Sequence, residues 1–192
     1  MLSVLLELQR LKRLDRTGWV LRGLPPGAES VAAHSYGVAL TAMLLADECA
    51  ARGVEVDVGR VLRIALLHDL QETRTGDMPR TVADYYGREA RRAAERAAFY
   101  DIMRGATNAS AYAELHEDYE SRASLEARLV KAADVIDLLA QALAFERAGS
   151  RGLEEFWEGA ADRDFQLEGP AREVVSEAVA ALVAERRVVR RQ

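Results

Sequence analysis

The sequence predicts an all-α protein, and three observations carry that expectation. Strand signals are nearly absent: no segment alternates apolar and polar residues over six positions with β-branched enrichment. Apolar residues recur instead at helical spacing, and helix caps and breakers punctuate the chain at intervals of about one helix. Hydrophobic residues make up 49% of the 192 and charged residues 30%, a balance that builds a packed core rather than a disordered chain. The length suits one domain, so residues 1–192 are read as a single compact helical domain.

The first apolar run covers about Leu2 to Leu14, with Leu5, Leu8 and Leu11 on one side. Gly18, Gly23, Pro25, Pro26 and Gly27 then make an irregular connection that cannot be one helix. Ser30 caps a helix to about Arg52. Asp57 caps the next, which carries Val58, Val61, Leu62, Ala65 and Leu66 and reaches about Thr73. Gly76 and Pro79 mark a loop. An arginine- and alanine-rich helix follows from about Arg88 to Arg104, and a shorter acidic one lies near Ala111 to Glu120. Ser124 opens a long helix to about Arg147; Gly149 and Gly152 loosen the chain before a short segment at Phe156 and Trp157. Gly169 and Pro170 have the cap-then-first-turn arrangement of a last helix, to about Arg187.

Composition excludes several functions. The formal net charge is −5, from 31 acidic and 26 basic residues, so no basic excess draws the chain to nucleic acid. Cys49 is the one cysteine, which rules out an intrachain disulfide and a zinc site built on several cysteines. Even the stretch from Val38 to Ala46 is broken by Thr41, far short of the roughly 20 apolar residues of a membrane-spanning helix. Glu7, Gln9 and Arg10 interrupt the place where a signal peptide's apolar core would lie. No membrane partner and a cytoplasmic location are expected.

The informative residues are polar ones where the pattern wants apolar ones. The hydrophobic helix Ile64-Ala65-Leu66-Leu67 runs into His68 and Asp69 side by side. Asp134, with Asp137 at i,i+3 on nearly the same face, lies on another strongly apolar helix. His34 sits in the first turns of a third. Each alone has a plain structural explanation, since a buried carboxylate is normally paired and a buried imidazole hydrogen-bonded. Together, two imidazoles and two carboxylates suit one divalent cation of the Mn²⁺, Co²⁺, Fe²⁺, Ni²⁺ or Zn²⁺ type, with positions left open for catalysis. On a continuous helix His68 and Asp69 project about 100° apart, so an ion shared by both sits near the helix end. Glu72, one turn beyond His68, could serve as general acid or base or be a solvated helix-end residue. Asp77 is a turn residue or a substrate contact. His116, in the charged stretch Glu114 to Glu120, reads as a solvated surface histidine. Trp19 plugs the core or lines a pocket.

The order His34, His68-Asp69, Asp134 resembles the H…HD…D signature of the HD-domain metal-dependent phosphohydrolases. The surrounding residues are more specific: Leu11-Lys12-Arg13-Leu14-Asp15-Arg16-Thr17-Gly18-Trp19-Val20, Glu29-Ser30-Val31-Ala32-Ala33-His34-Ser35, His68 through Pro79, and Leu129 through Asp134. They resemble the HD-domain 5′-deoxynucleotidases (the YfbR-like group) in order and spacing over about Leu2 to Arg147. Residues 148–192 carry no recognised motif.

The resemblance implies a phosphomonoesterase on a helical HD fold, acting on 2′-deoxynucleoside 5′-monophosphates. By it, His34, His68, Asp69 and Asp134 hold one divalent cation per chain (Co²⁺, Mn²⁺, Mg²⁺, Fe²⁺, Ni²⁺ or Zn²⁺), and Glu72 handles the proton. An arginine just before the tryptophan orients the phosphate in the family. Gly18 precedes Trp19 here, so Arg16 takes that role, with Arg22 as the fallback. Trp19 and Asp77 flank the sugar, Met78 and Pro79 continue the substrate loop, and Arg80 departs from the small polar residue the family leads one to expect. Family members are typically homodimers. HD-type (p)ppGpp hydrolases and dNTP triphosphohydrolases share the four ligands and are the enzymatic alternatives. A non-catalytic helical regulatory module with a vestigial site is the third.

Overall fold

The computed structural model of the protein describes residues 1–79 and 82–191. Among these residues it is all-α, with one isolated antiparallel bridge between Asp15 and Ser30. The chain divides into two compact units: one holds Met1–Tyr36 and Leu66–Glu117, the other Gly37–Ala65 and the chain from Asp118 onward.

The first unit contains α1 (Leu2–Leu8), α2 (Thr17–Val20), the opening turns of α3 (Val31–Ala51), the end of α4 (Val58–Leu67), α5 (Glu72–Thr75), α6 (Ala83–Tyr86), α7 (Arg88–Met103) and most of α8 (Ala109–Ser121). Its core gathers Leu11, Val31, Leu70, Phe99, Ile102 and Met103, with α1, α5 and α6 packed on α7. The first helix is shorter than its apolar period predicts. After Leu8 the backbone tightens into bonds from Arg10 N–H to the Glu7 carbonyl (2.9 Å) and from Leu11 N–H to the Leu8 carbonyl (3.2 Å). Leu11 and Leu14 then present their carbonyls to Ala32 N–H (3.1 Å) and Val31 N–H (2.8 Å), so pairing with the start of α3 replaces further helix. The same pairing continues in the Asp15–Ser30 bridge and in Arg16 N–H donating to the Glu29 carbonyl at 3.0 Å. It lays the Arg16–Trp19 segment beside the entry to α3. The short α2 and α6 fall where the sequence reads as loop.

The second unit is built around α9 (Leu125–Arg147), against which α10 (Glu154–Trp157) and α11 (Gly169–Val189) pack. Leu129, Leu139 and Leu143 of α9 and Val174, Val175 and Val179 of α11 are buried. The Arg186 guanidinium donates to both carboxylate oxygens of Glu146, at 2.8–3.1 Å, and lies 4.7 Å over the Trp157 ring.

Three of the four predicted caps form. Ser30 Oγ accepts from Ala33 N–H at 3.1 Å, Asp57 Oδ1 from Arg60 N–H at 2.9 Å, and Ser124 Oγ from Ala127 N–H at 3.0 Å. Glu168 rather than Gly169 occupies the cap position of α11. Among the described residues no helix is long and apolar enough to cross a membrane.

Candidate metal centre

The centre begins with two helix ends. His34 stands in the first turn of α3, its N–H donating to the Ser30 carbonyl at 3.0 Å, and its side chain is 1% exposed. On the other side α4 stops at Leu67, short of the Thr73 that the hydrophobic pattern predicts. The chain then tightens into i→i−3 bonds: Leu70 N–H to the Leu67 carbonyl, Glu72 N–H to the Asp69 carbonyl, Thr73 N–H to the Leu70 carbonyl. The Gln71 side-chain amide donates back to the His68 carbonyl at 2.9 Å. In this turn neighbouring side chains need not diverge as they do along a helix. Asp69 Oδ2 lies 3.1 Å from His68 Nε2 and 3.7 Å from His34 Nε2.

These atoms fit a metal. The two imidazole nitrogens lie within 4.8 Å of each other, and the rings meet edge to face at 67° with centroids 5.5 Å apart. Ligand atoms about 2.1 Å from one ion sit roughly 3–4 Å from one another, and the spacings to Asp69 match. A nitrogen, nitrogen, oxygen set suits a first-row divalent cation. Burial raises the Asp69 carboxyl, but His68 beside it, followed by Arg16 and His34, outweighs that and holds it below the usual carboxylate range.

A second group borders the same carboxylate. Arg16 Nη1 lies 3.5 Å from Asp69 Oδ2 and 3.2 Å from Asp77 Oδ1. Thr17 N–H donates to Asp77 Oδ2 at 2.5 Å and the Thr17 hydroxyl to the Asp77 carbonyl at 2.6 Å. Trp19 is sealed, at 1% exposure, and its indole N–H donates to Glu29 at 2.5 Å. Its position is thereby fixed beside the Arg16–Asp77 group. Glu72 opens α5 as a buried residue and not as a solvated helix-end glutamate. Met78 and Pro79 follow Asp77 half-buried, Arg22 is half-buried on the connection after α2, and Arg80 lies outside the described residues.

Asp134 belongs to the second unit. It is half-buried on α9, with Lys131 Nζ at 2.7 Å and the Tyr119 hydroxyl at 3.2 Å. One turn later, the Asp137 carboxylate packs against Gly37 of α3 so closely that a Cβ there would lie 2.8 Å from its Cγ.

His116 corrects a sequence expectation. It is not a surface residue: it is 1% exposed and stacks on Phe99 at 4.1 Å with ring planes 8° apart. Burial pushes its pKa down to about 4, with Arg96 adding to the shift and Glu117 opposing it. Thr17, Glu29, Lys131 and Tyr119 are site neighbours that carried no role in the sequence. Lys131 could have been found, because it stands at i,i+3 from Asp134 on a helix. Thr17 could not, since its partner is 60 residues away.

Comparison with known proteins identifies the family. The sequence pattern of the HD domain family matches residues 8–164. The 5′-deoxynucleotidase HDDC2 of Xenopus laevis is 32% identical over 159 residues, covering 80% of this chain and 74% of that protein. The 5′-deoxynucleotidase YGK1 of Saccharomyces cerevisiae is 34% identical over 164 residues, covering 81% and 72%. Among solved structures, the PH0347 protein of Pyrococcus horikoshii superposes with a TM-score of 0.82 at 32% identity, over 96% of this chain and 99% of that one. An HD-domain phosphohydrolase of Listeria innocua shares the fold, with a TM-score of 0.72 at 23% identity over 94% and 88% of the two chains. With the histidine and aspartate pair at the end of α4 facing His34, and relatives matched over most of its length, the chain belongs to the HD-domain family and, within it, to the 5′-deoxynucleotidase group.

Proposed function

We propose that the protein is a metal-dependent phosphomonoesterase that converts 2′-deoxynucleoside 5′-monophosphates to deoxynucleosides and phosphate. The observation that carries this reading is the convergence of His34, His68 and Asp69 beside the Arg16 guanidinium. It supports reading the two histidines and the carboxylate as cation ligands, with Arg16 as the phosphate-binding group beside them. His34, His68, Asp69 and Asp134 are the proposed ligands of one divalent cation per chain. Such a cation, when bound, polarises a phosphoryl oxygen and lowers the pKa of a coordinated water.

The chain's own residues do the rest. Arg16 releases its hold on Asp69 and Asp77 to meet the phosphate, where a guanidinium offsets the charge of the transferring phosphoryl group. Arg22 is its fallback. Glu72, buried and tied to Asp69 through the backbone, holds the proton moved during attack. Asp77, Met78 and Pro79 face the sugar, with Trp19 as a rigid wall whose indole N–H is committed to Glu29. The reading takes residues 1–192 as one HD domain, a cytoplasmic homodimer with no nucleic-acid partner. The net charge of −5 supports the last point. Tyr36, Leu40 and Leu44, exposed along one stripe of α3, supply apolar surface for a second copy.

The test is phosphate release by metal-stripped protein resupplied with Co²⁺, Mn²⁺ or Mg²⁺, on dAMP beside AMP. Metal-dependent release that prefers dAMP is expected. Equal rates would remove the sugar-facing roles of Trp19 and Asp77. No release with any metal would overturn the function and move the search to (p)ppGpp, dNTPs or a non-catalytic role.

A further inference from the structure

We propose that Thr17 is a positioning residue that sets sugar selectivity by fixing Asp77, a role that rests on the deoxynucleotidase reading above. The loop carrying Asp77 leaves α5 through Gly76, whose φ of +76° lies in the left-handed region that glycine enters freely. Local backbone preference therefore leaves the place of Asp77 open, and tertiary hydrogen bonds must set it. Among the described residues those bonds come from one dipeptide. Thr17 N–H takes Oδ2, Arg16 takes Oδ1, and the Thr17 hydroxyl takes the main-chain carbonyl.

The consequence is a fixed spacing. Arg16, which meets the phosphate, and Thr17, which holds Asp77, are covalent neighbours, so the phosphate-binding and sugar-facing groups are linked by one peptide unit. When Arg16 turns to the phosphate, Oδ1 of Asp77 loses its partner, and the two Thr17 bonds, one to the carboxylate and one to the main-chain carbonyl, keep Asp77 in place. The hydroxyl bond matters most for the loop, because it holds the backbone and not only the side chain. Without it the Asp77 carbonyl is left part-buried and short of a donor, and the loop can relax outward. Where crowding alone discriminates, selectivity against an added hydroxyl is modest, so relaxing the loop lowers it. Thr17 touches no reacting atom in this account; it acts through Asp77.

The experiment compares wild type, Thr17→Val and Thr17→Ser in kcat and KM on dAMP and AMP, together with amide hydrogen exchange over residues 76–78. Valine keeps the shape and removes the hydroxyl, whereas serine restores it. In Thr17→Val the ratio of kcat/KM for dAMP over AMP is expected to fall about tenfold, mostly through a gain on AMP, while Thr17→Ser stays within about twofold of wild type. Exchange at residues 76–78 is expected to rise about tenfold in the valine variant alone. A valine variant with wild-type selectivity overturns the selectivity role, whatever its exchange does. Unchanged exchange overturns the clamp itself. Absence of turnover in the wild type overturns the deoxynucleotidase reading, and the exchange measurement then still decides whether Thr17 fixes Asp77.

Discussion

His116 should make the protein lose stability in mild acid, and the loss can be worked from its surroundings. The ring is 1% exposed and stacked on Phe99, and among the described residues neither ring nitrogen has a hydrogen-bond partner. Burial lowers its pKa from 6.5 to about 4. Between those values the unfolded chain binds a proton that the folded chain refuses, so stability falls as pH drops through 6.5 and goes on falling to about 4. A gap of about 2.5 pH units at about 1.4 kcal/mol per unit gives roughly 3 kcal/mol in full, and about 2 kcal/mol by pH 5. Urea unfolding of wild type and His116→Phe at about pH 7.5 and pH 5 isolates this contribution, because groups distant from the site cancel in the difference. Any misfit of the phenylalanine ring is independent of pH and cancels in the comparison. The stability of wild type relative to the variant is expected to drop by about 2 kcal/mol between the two conditions. A difference that stays constant would mean that His116 takes up its proton in the folded state, and the burial argument would be wrong.

Two further outcomes follow from single contacts. Gly37→Ala places a methyl carbon against the Asp137 carboxylate in the interface of α3 and α9. Overpacking of that kind costs about 1–3 kcal/mol, and thermal unfolding should show it; an unchanged Tm would mean that Asp137 moves aside freely. Glu72→Ala should keep bound metal and lower kcat by about 10² or more, as loss of a general acid–base group does. A near-normal rate would leave Glu72 a structural residue.

Much of the architecture was legible because helix signals are local. Ser30, Asp57 and Ser124 each lie within three residues of the N–H they cap, so the sequence alone could place them. Part of what it could not place depends on distant partners. The end of α1 at Leu8 is set by the pairing of Leu11 with Ala32 and of Leu14 with Val31, and the apolar period runs on past it to Leu14. The end of α4 at Leu67 is hidden for a local reason: the tight turn that aims His68 and Asp69 together keeps the hydrophobic pattern of a helix. His116 was misread because its acidic neighbours dominate the local composition. Its period tells otherwise: Tyr112, Leu115, His116 and Tyr119 follow i, i+3, i+4, i+7, and Leu115, His116 and Tyr119 are buried. The residue types of the centre were readable from His34, His68, Asp69 and their spacing. The Arg16–Thr17 grip on Asp77 was not, because no local rule joins residues 60 apart.

The most direct test of the account is the metal content of cobalt-loaded, desalted wild type beside His68→Ala and Asp134→Ala, read with phosphate release from dAMP on the same samples. One equivalent per chain is expected in the wild type, and less than about a tenth of that in each variant, because a lost ligand weakens a four-residue site severely. Helicity by circular dichroism should stay largely intact, and turnover should disappear with the metal. Full metal and full turnover in either variant would contradict the assignment of the centre.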